Sequence, residues 1–352
     1  MSEYNCQSSP VQSSPVQSVI IPTYNRKNML KDAIESVLKQ EDVDLELIIA
    51  DNCSTDGTED FVKSFTDKRI VYFRNPKNIG YERNQNAGLR KSRGKYITFL
   101  DDDDYYTDYR FFAKALKIFE EHDTESEPLS FVAANAYVLN VFTGEKTPSN
   151  IGTPGRVKGV DFILKPQYRK PLSTFPTVFK AEALRRAGHY DLMLFDTATY
   201  LEAALEGDAW FIPDLIGMYR TGHTSLTLNH SKTNPEAEEV YYSAQKENAR
   251  RTRMVRDKLY HRADKKEVDR WYISSEVGHS GFYAIARPAL SDRIRTAKYI
   301  LGEAGFMPKL WVKIVLPILR EQVIKQMKKI TPLRKLYRFF KYRLMGKPYP
   351  EN

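Results

Sequence analysis

Cysteine is nearly absent: Cys6 and Cys53 are the two in 352 residues, and no CxxC pair occurs. That scarcity excludes a disulfide framework and a thiolate zinc site, and it suits a reducing compartment. Long apolar runs are missing as well. No stretch approaches the roughly eighteen consecutive apolar residues that a membrane-crossing helix needs. The N-terminus, MSEYNCQSSPVQSSPVQ, has no basic segment followed by an apolar one. The expectation is a cytoplasmic protein, neither exported nor membrane-spanning. A uniform basic field is also lacking, although the net charge is +9. Residues 306–352 hold twelve Lys or Arg and two Glu, which leaves 42 basic and 43 acidic residues in the first 305. Nucleic acid is not an expected partner, because the charge is confined to one segment and no reading motif accompanies it.

Four zones follow along the chain. Residues 1–17 contain SSPVQ twice and too little apolar content to fold alone, so they read as a disordered leader. From Ser18 onward strands and helices alternate. SVIIP, LELIIA, RIVYF and KYITFL read as strands, and Met29, Leu30, Ala33, Ile34, Val37 and Leu38 share one face of a helix. FVKSF follows an STDG turn, and GYERNQNAGLRKS reads as another helix. This βαβαβ pattern predicts an α/β fold, a mainly parallel sheet with helices on both faces. Ligands bind beyond the carboxyl ends of the strands in such sheets. Each polar cluster sits at one of those ends: SVII runs into PTYNR, LELIIA into DNCSTDGT, and YITFL into Asp101, Asp102, Asp103 and Asp104. Four adjacent carboxylates repel one another and call for a compensating cation.

PTYNR, IIADNCSTDGT, NIGYERNQNAG and YITFLDDDD, in this order, resemble the nucleotide-binding half of the family 2 glycosyltransferases, which have the Rossmann-like GT-A fold. The resemblance spans residues 18–225. It implies that Asp101 and Asp103 form the DxD pair and hold a divalent metal, Mn²⁺ or Mg²⁺, against the diphosphate of a sugar nucleotide. An oxygen-ligated cation of this kind neutralises the charge growing on the leaving diphosphate. A haloacid-dehalogenase-type phosphatase also carries a DxD after a strand. Its motif requires Thr or Val two residues after the second Asp, where this chain has Tyr105.

The same resemblance implies a nucleotide-binding set of Pro22, Thr23, Tyr24, Asp51, Arg83, Asp101, Asp102, Arg220 and Ser225. Thr23 and Tyr24 would line the uracil and ribose, and Asp51 would accept the base N3–H. The family's Arg ordinarily stands immediately before the position of Asn86, where this chain has Gln85, so Arg83 comes two positions early. In AGHYDLMLFDTATYLEAALEGDAWFIPD, Asp196 falls on the Asp of the family's Glu-Asp pair and would be the catalytic base, with Phe195 in place of the Glu. A helix N-cap is the alternative reading for Asp196, and Asp191 is the alternative base. MYRTGHTSLT resembles the segment in which Arg220, His223 and Ser225 would reach the diphosphate or the metal, His223 as a metal ligand, from a loop that orders over the donor.

The catalytic domain is thus expected over residues 18–230, followed by a helical region over 231–305 that supplies an acceptor side or an oligomer contact. The 306–352 tail mixes Trp, Leu, Ile and Phe with Lys and Arg, a composition suited to helices lying in the headgroups of an anionic membrane. The function that results is inverting transfer of a sugar from a UDP-sugar to a lipid-linked or cell-surface glycan, at the inner face of the plasma membrane. Two competing classes are a non-catalytic glycan- or nucleotide-binding module on the same scaffold and a basic scaffold protein. Retention of a DxD and a base disfavours the first, and confinement of the charge disfavours the second.

Overall fold

The computed structural model describes residues 15–171, 173–189, 196–222 and 235–276. The chain divides into two compact units, Met1–Val240 and Tyr241–Asn352. In the first, β1 (Gln17–Thr23) and β2 (Leu45–Asp51) are buried at every position. Strands covered on both faces carry continuous apolar runs, as these two do. α1 (Lys27–Leu38) connects them and buries Leu30, Ala33, Ile34 and Val37. Those side chains join Val19, Ile21, Leu47 and Ile49 in the core. α2 (Thr58–Lys63) leads to the half-buried β3 (Ile70–Arg74), which pairs with β2. α3 (Tyr81–Lys91) covers the opposite face. A Cβ at Gly88 would fall 2.5 Å from Cγ2 of Ile20, and Ile20 points away from Val19 and Ile21 by strand alternation.

β4 (Tyr96–Phe99) pairs parallel with β1 on the side away from β2. Thr23 lies opposite Asp51, and Asp51 opposite Arg74, so the carboxyl ends of these strands are level. The chain moves outward through β2 and β3 and then returns beyond β1. That reversal opens a crevice between β1 and β4, where ligands bind in sheets of this type.

After β4 come β5 (Tyr105–Tyr106), α4 (Phe111–His122), β6 (Leu129–Asn140), β7 (Lys146–Pro148), β8 (Gly155–Val157) and α5 (Gly159–Leu164). β9 (Thr177–Lys180), α6 (Ala181–Arg186), α7 (Asp196–Glu206) and β10 (Asp208–Thr221) follow. The ten strands form one sheet in the order β3-β2-β1-β4-β9-β6-β10-β5, with β7 on β6 and β8 on β10. β9 enters antiparallel between β4 and β6, whereas β6 and β10 are parallel. The parallel core expected from the alternation is present, and antiparallel strands extend it.

The pairing of β10 with β5 requires a glycine. β10 pairs with β5 through Gly217 and Met218, and a Cβ at position 217 would lie 2.5 Å from the carbonyl oxygen of Tyr105. Gly217→Ala is expected to cost about 1–3 kcal/mol, the range for overpacking a filled site. A lowered midpoint in denaturant unfolding checks this, and an unchanged midpoint rejects it.

The second unit holds the greater part of α8 (Pro235–Leu259), together with α9 (Lys265–Glu276). Ala249, Val255, Leu259, Val268 and Tyr272 are buried, the Arg256 guanidinium lies 4.6 Å over the Tyr272 ring, and the Tyr260 hydroxyl donates to Asp269 at 2.5 Å. Residues 277–305 and the basic tail lie outside the described residues. No helix among the described residues is long and apolar enough to cross a membrane.

Candidate active site

The aspartate run ends β4 at the crevice, and its four side chains take different partners. Asp101 accepts the Tyr81 hydroxyl at 2.5 Å. Asp102 is 5 % exposed and accepts from the Thr23 hydroxyl at 2.7 Å and from Arg26 Nη1 at 3.0 Å. The same Nη1 donates to Asp103 Oδ2 at 2.6 Å. Asp104 is fully buried. Its Oδ1 accepts the backbone N–H of Arg220 at 2.9 Å, and its Oδ2 has no hydrogen-bond partner. Carboxylate oxygens of Asp101, Asp103 and Asp104 all lie within 4.8 Å of one another.

This set fits a divalent cation. Three carboxylates offer an oxygen-only donor set of the kind that hard cations take, and the orphaned Asp104 oxygen is a buried acceptor with nothing to accept. Burial raises the Asp101 carboxyl well above the usual range, reinforced by the charges of Asp103 and Asp196. Burial does the same to Asp104, reinforced by Asp101 and Asp103. Asp102 is pushed up to about 6 by burial, against the opposing pull of Arg26. Asp101 and Asp103, the pair that the resemblance implies, lie together with a third carboxylate, Asp104, that sequence reasoning passed over. The signal was available, since Asp104 is the fourth of the run.

The loops after β1 and β2 are stitched together beside the crevice. Ser54 Oγ accepts the Asn25 N–H at 2.9 Å, Asn25 Oδ1 accepts the Thr55 N–H at 2.7 Å, and Asp56 accepts the Lys27 N–H at 3.0 Å. Asn25 and Cys53 adopt positive φ at 52° and 70°, which these tight loops impose. Asp51 is fully buried. It accepts the Ser54 N–H at 2.9 Å and the Tyr72 hydroxyl at 2.7 Å. Burial and that bond to a carboxylate raise the Tyr72 hydroxyl's pKa. Pro22 is buried in β1 opposite Ala50, and Tyr24 is half-buried. Arg83 is exposed on α3.

Asp196 occupies the first turn of α7. Burial raises its carboxyl, with the Lys170 ammonium acting in the opposite direction. Its charge also raises Tyr81 and Asp101, so the expected base and the aspartate cluster share one electrostatic site. Arg220 lies within β10 rather than on a loop. Its Nε donates to the Asp103 carbonyl, Nη1 to Asp32 at 2.8 Å, and Nη2 to the Met29 carbonyl at 3.3 Å. With the guanidinium 5.1 Å over the Tyr105 ring, Arg220 fastens the aspartate turn to α1. Asp191, Phe195, His223 and Ser225 lie outside the described residues. Arg26, Tyr72 and Tyr81 are site residues that sequence reasoning left unassigned. Arg26 and Tyr81 stand inside two motifs already singled out, PTYNR and NIGYERNQNAG.

Residues 18–165 match the model of the family Glycosyl transferase family 2. A relative in Campylobacter jejuni, GalNAc(5)-diNAcBac-PP-undecaprenol beta-1,3-glucosyltransferase, is 27% identical over 300 residues, 84% of this chain and 94% of its own length. The Escherichia coli UDP-Glc:alpha-D-GlcNAc-diphosphoundecaprenol beta-1,3-glucosyltransferase WfaP is 35% identical over 126 residues, 36% of this chain and 47% of its own. Among solved structures, S. aureus TarS 1-349 in complex with UDP-GlcNAc superposes with a TM-score of 0.62 at 16% identity, covering 95% of this chain and 93% of TarS 1-349. That likeness is one of fold.

Proposed function

We propose that this chain, whose residues 18–165 match the Glycosyl transferase family 2 model and whose fold resembles that of TarS, is a family 2 glycosyltransferase that transfers a sugar with inversion from a UDP-sugar to a hydroxyl of a lipid-linked glycan. The observation that carries the reading is the trio Asp101, Asp103 and Asp104 at the β1–β4 crevice, with Asp196 in its electrostatic field. Asp101, Asp103 and Asp104 would hold the divalent cation. When bound, such a cation neutralises charge on a leaving diphosphate. Asp196 would take the proton from the acceptor hydroxyl. Its raised carboxyl suits that role, because a base works best with a pKa closer to the operating pH. Thr23, Tyr24 and Asp51 would meet the nucleoside, with Tyr72 holding Asp51 in place. Arg83 would reach the base or the phosphates.

The names of the two relatives support a diphosphoundecaprenol-linked acceptor, and that of WfaP supports UDP as the donor nucleotide. The charge of the 306–352 tail supports docking on an anionic membrane, where such acceptors reside.

Melting curves taken with UDP-sugars and GDP-sugars, each with and without Mn²⁺, test the assignment. A UDP-sugar with Mn²⁺ at about a hundred times its Kd is expected to raise the melting temperature by roughly 5–10 °C. The same donor should do little after chelation. Equal stabilisation without metal, or by GDP-sugars alone, would overturn the assignment.

A further inference from the structure

Arg26 closes the loop after β1 and flanks the first turn of α1, between the nucleoside side of the crevice and the aspartate turn. Its Nη1 bridges two carboxylates, Asp102 Oδ1 at 3.0 Å and Asp103 Oδ2 at 2.6 Å, with 15% of its side chain exposed. The two contacts differ in kind. Asp102 is buried and also held by Thr23, so it is a fixed anchor. Asp103 belongs to the trio whose oxygens converge within 4.8 Å, so it is a ligand that a cation would claim. A guanidinium already on Asp103 neutralises part of the charge that attracts a divalent ion, and it repels that ion at short range.

We infer that Arg26 is a resident counter-charge for Asp103 that competes with the divalent cation while the donor is absent and turns to the donor's diphosphate when the cation takes Asp103. This inference rests on the nucleotide-sugar reading above. Arg26 can pivot without leaving its place, because Asp102 holds one end of the bridge in both states. A planar guanidinium also suits diphosphate oxygens as well as it suits carboxylates. The consequence is coupled binding: metal alone binds weakly, and metal with nucleotide binds well, because the nucleotide offers Arg26 a second anion. Arg26 is thus a positioning residue that sets the order in which the site fills.

The test uses the full chain and two probes, Mn²⁺ alone and UDP at saturating Mn²⁺. Free Mn²⁺ is followed by electron paramagnetic resonance, and UDP binding by calorimetry. Arg26→Gln is expected to bind Mn²⁺ alone on the order of tenfold more tightly than the wild type, because a unit positive charge beside the ligand is gone. The same variant should bind UDP with Mn²⁺ on the order of tenfold more weakly, because a charge-assisted contact to the diphosphate is lost. These opposite signs are the signature. A residue that merely braced the turn would move both affinities downward together, and that result overturns the inference. Unchanged affinities overturn it as well.

Should Arg26→Gln not fold, Arg26→Lys carries the test. Lysine keeps the charge, but its side chain ends short of the position of Nη1 and offers no planar fork to a diphosphate, so the same two opposite shifts are expected at a few-fold size, and shifts of one sign or none reject the inference. Wild-type protein that binds UDP with Mn²⁺ while the variants match it removes this inference alone. Wild-type protein that binds no divalent ion even with UDP removes the metal reading and this inference together.

Discussion

Asp103→Asn is expected to leave the fold standing and to remove metal-dependent UDP binding. The fold survives because Asp103 is a half-buried member of a mutually repelling run, so the substitution deletes a repulsive charge rather than a core contact. Arg26 keeps its anchor on Asp102, and Arg220 keeps its bond to the carbonyl at position 103, which the substitution does not touch. What disappears is one of three anionic oxygens that converge within 4.8 Å. An amide oxygen is neutral and cannot replace the lost charge, and charge stabilisation by such a cation amounts to several kcal/mol. Turnover should therefore fall by roughly 10²–10³-fold or more, since each 1.36 kcal/mol or so is tenfold in rate. Calorimetry of UDP with and without Mn²⁺, paired with a melting curve, reads the result. Wild-type metal-dependent affinity in the variant would sink the metal assignment.

Asp196→Asn should show the complementary pattern, with UDP-sugar affinity nearly intact and turnover lowered by about 10²–10⁴-fold, the range for loss of a general base. The two outcomes separate because Asp196 is not in the convergent trio, although its charge is felt by Asp101 and Tyr81. The isosteric amide keeps a polar group in the first turn of α7 and gives up only the favourable placement of a negative charge at the helix N-terminus. A loss of stability matching the loss of activity would favour the N-cap reading. Near-normal turnover with intact binding would move the base role to Asp191 or another carboxylate.

How much of this was legible beforehand depends on the range over which each feature is encoded. Strands such as Val19–Ile21 and Leu47–Ala50 are apolar runs ending on polar residues, and α1 repeats its apolar face at helical spacing. Both are local patterns, so the parallel βαβαβ core, its carboxyl-end crevice and the presence of an acidic cluster there could be read from one dimension. Short β9 carried no comparable signal, because four residues inserted antiparallel between β4 and β6 owe their place to neighbours distant in the chain.

The division of labour among the four aspartates was likewise undecided by sequence. In one dimension Asp101 to Asp104 are equivalent neighbours. The tertiary structure assigns Asp102 to Thr23 and Arg26, which lie about eighty residues earlier, and Asp104 to the Arg220 backbone, 116 residues later. It also shows Arg220 fastening the aspartate turn, through bonds to Asp32, to the Met29 carbonyl and to the Asp103 carbonyl. The sequence by itself determined that a negatively charged site stands at the end of β4. Which carboxylates face the crevice, and which cation already sits among them, only the tertiary structure decided, because desolvation and charge pairing act through space and have no period along the chain.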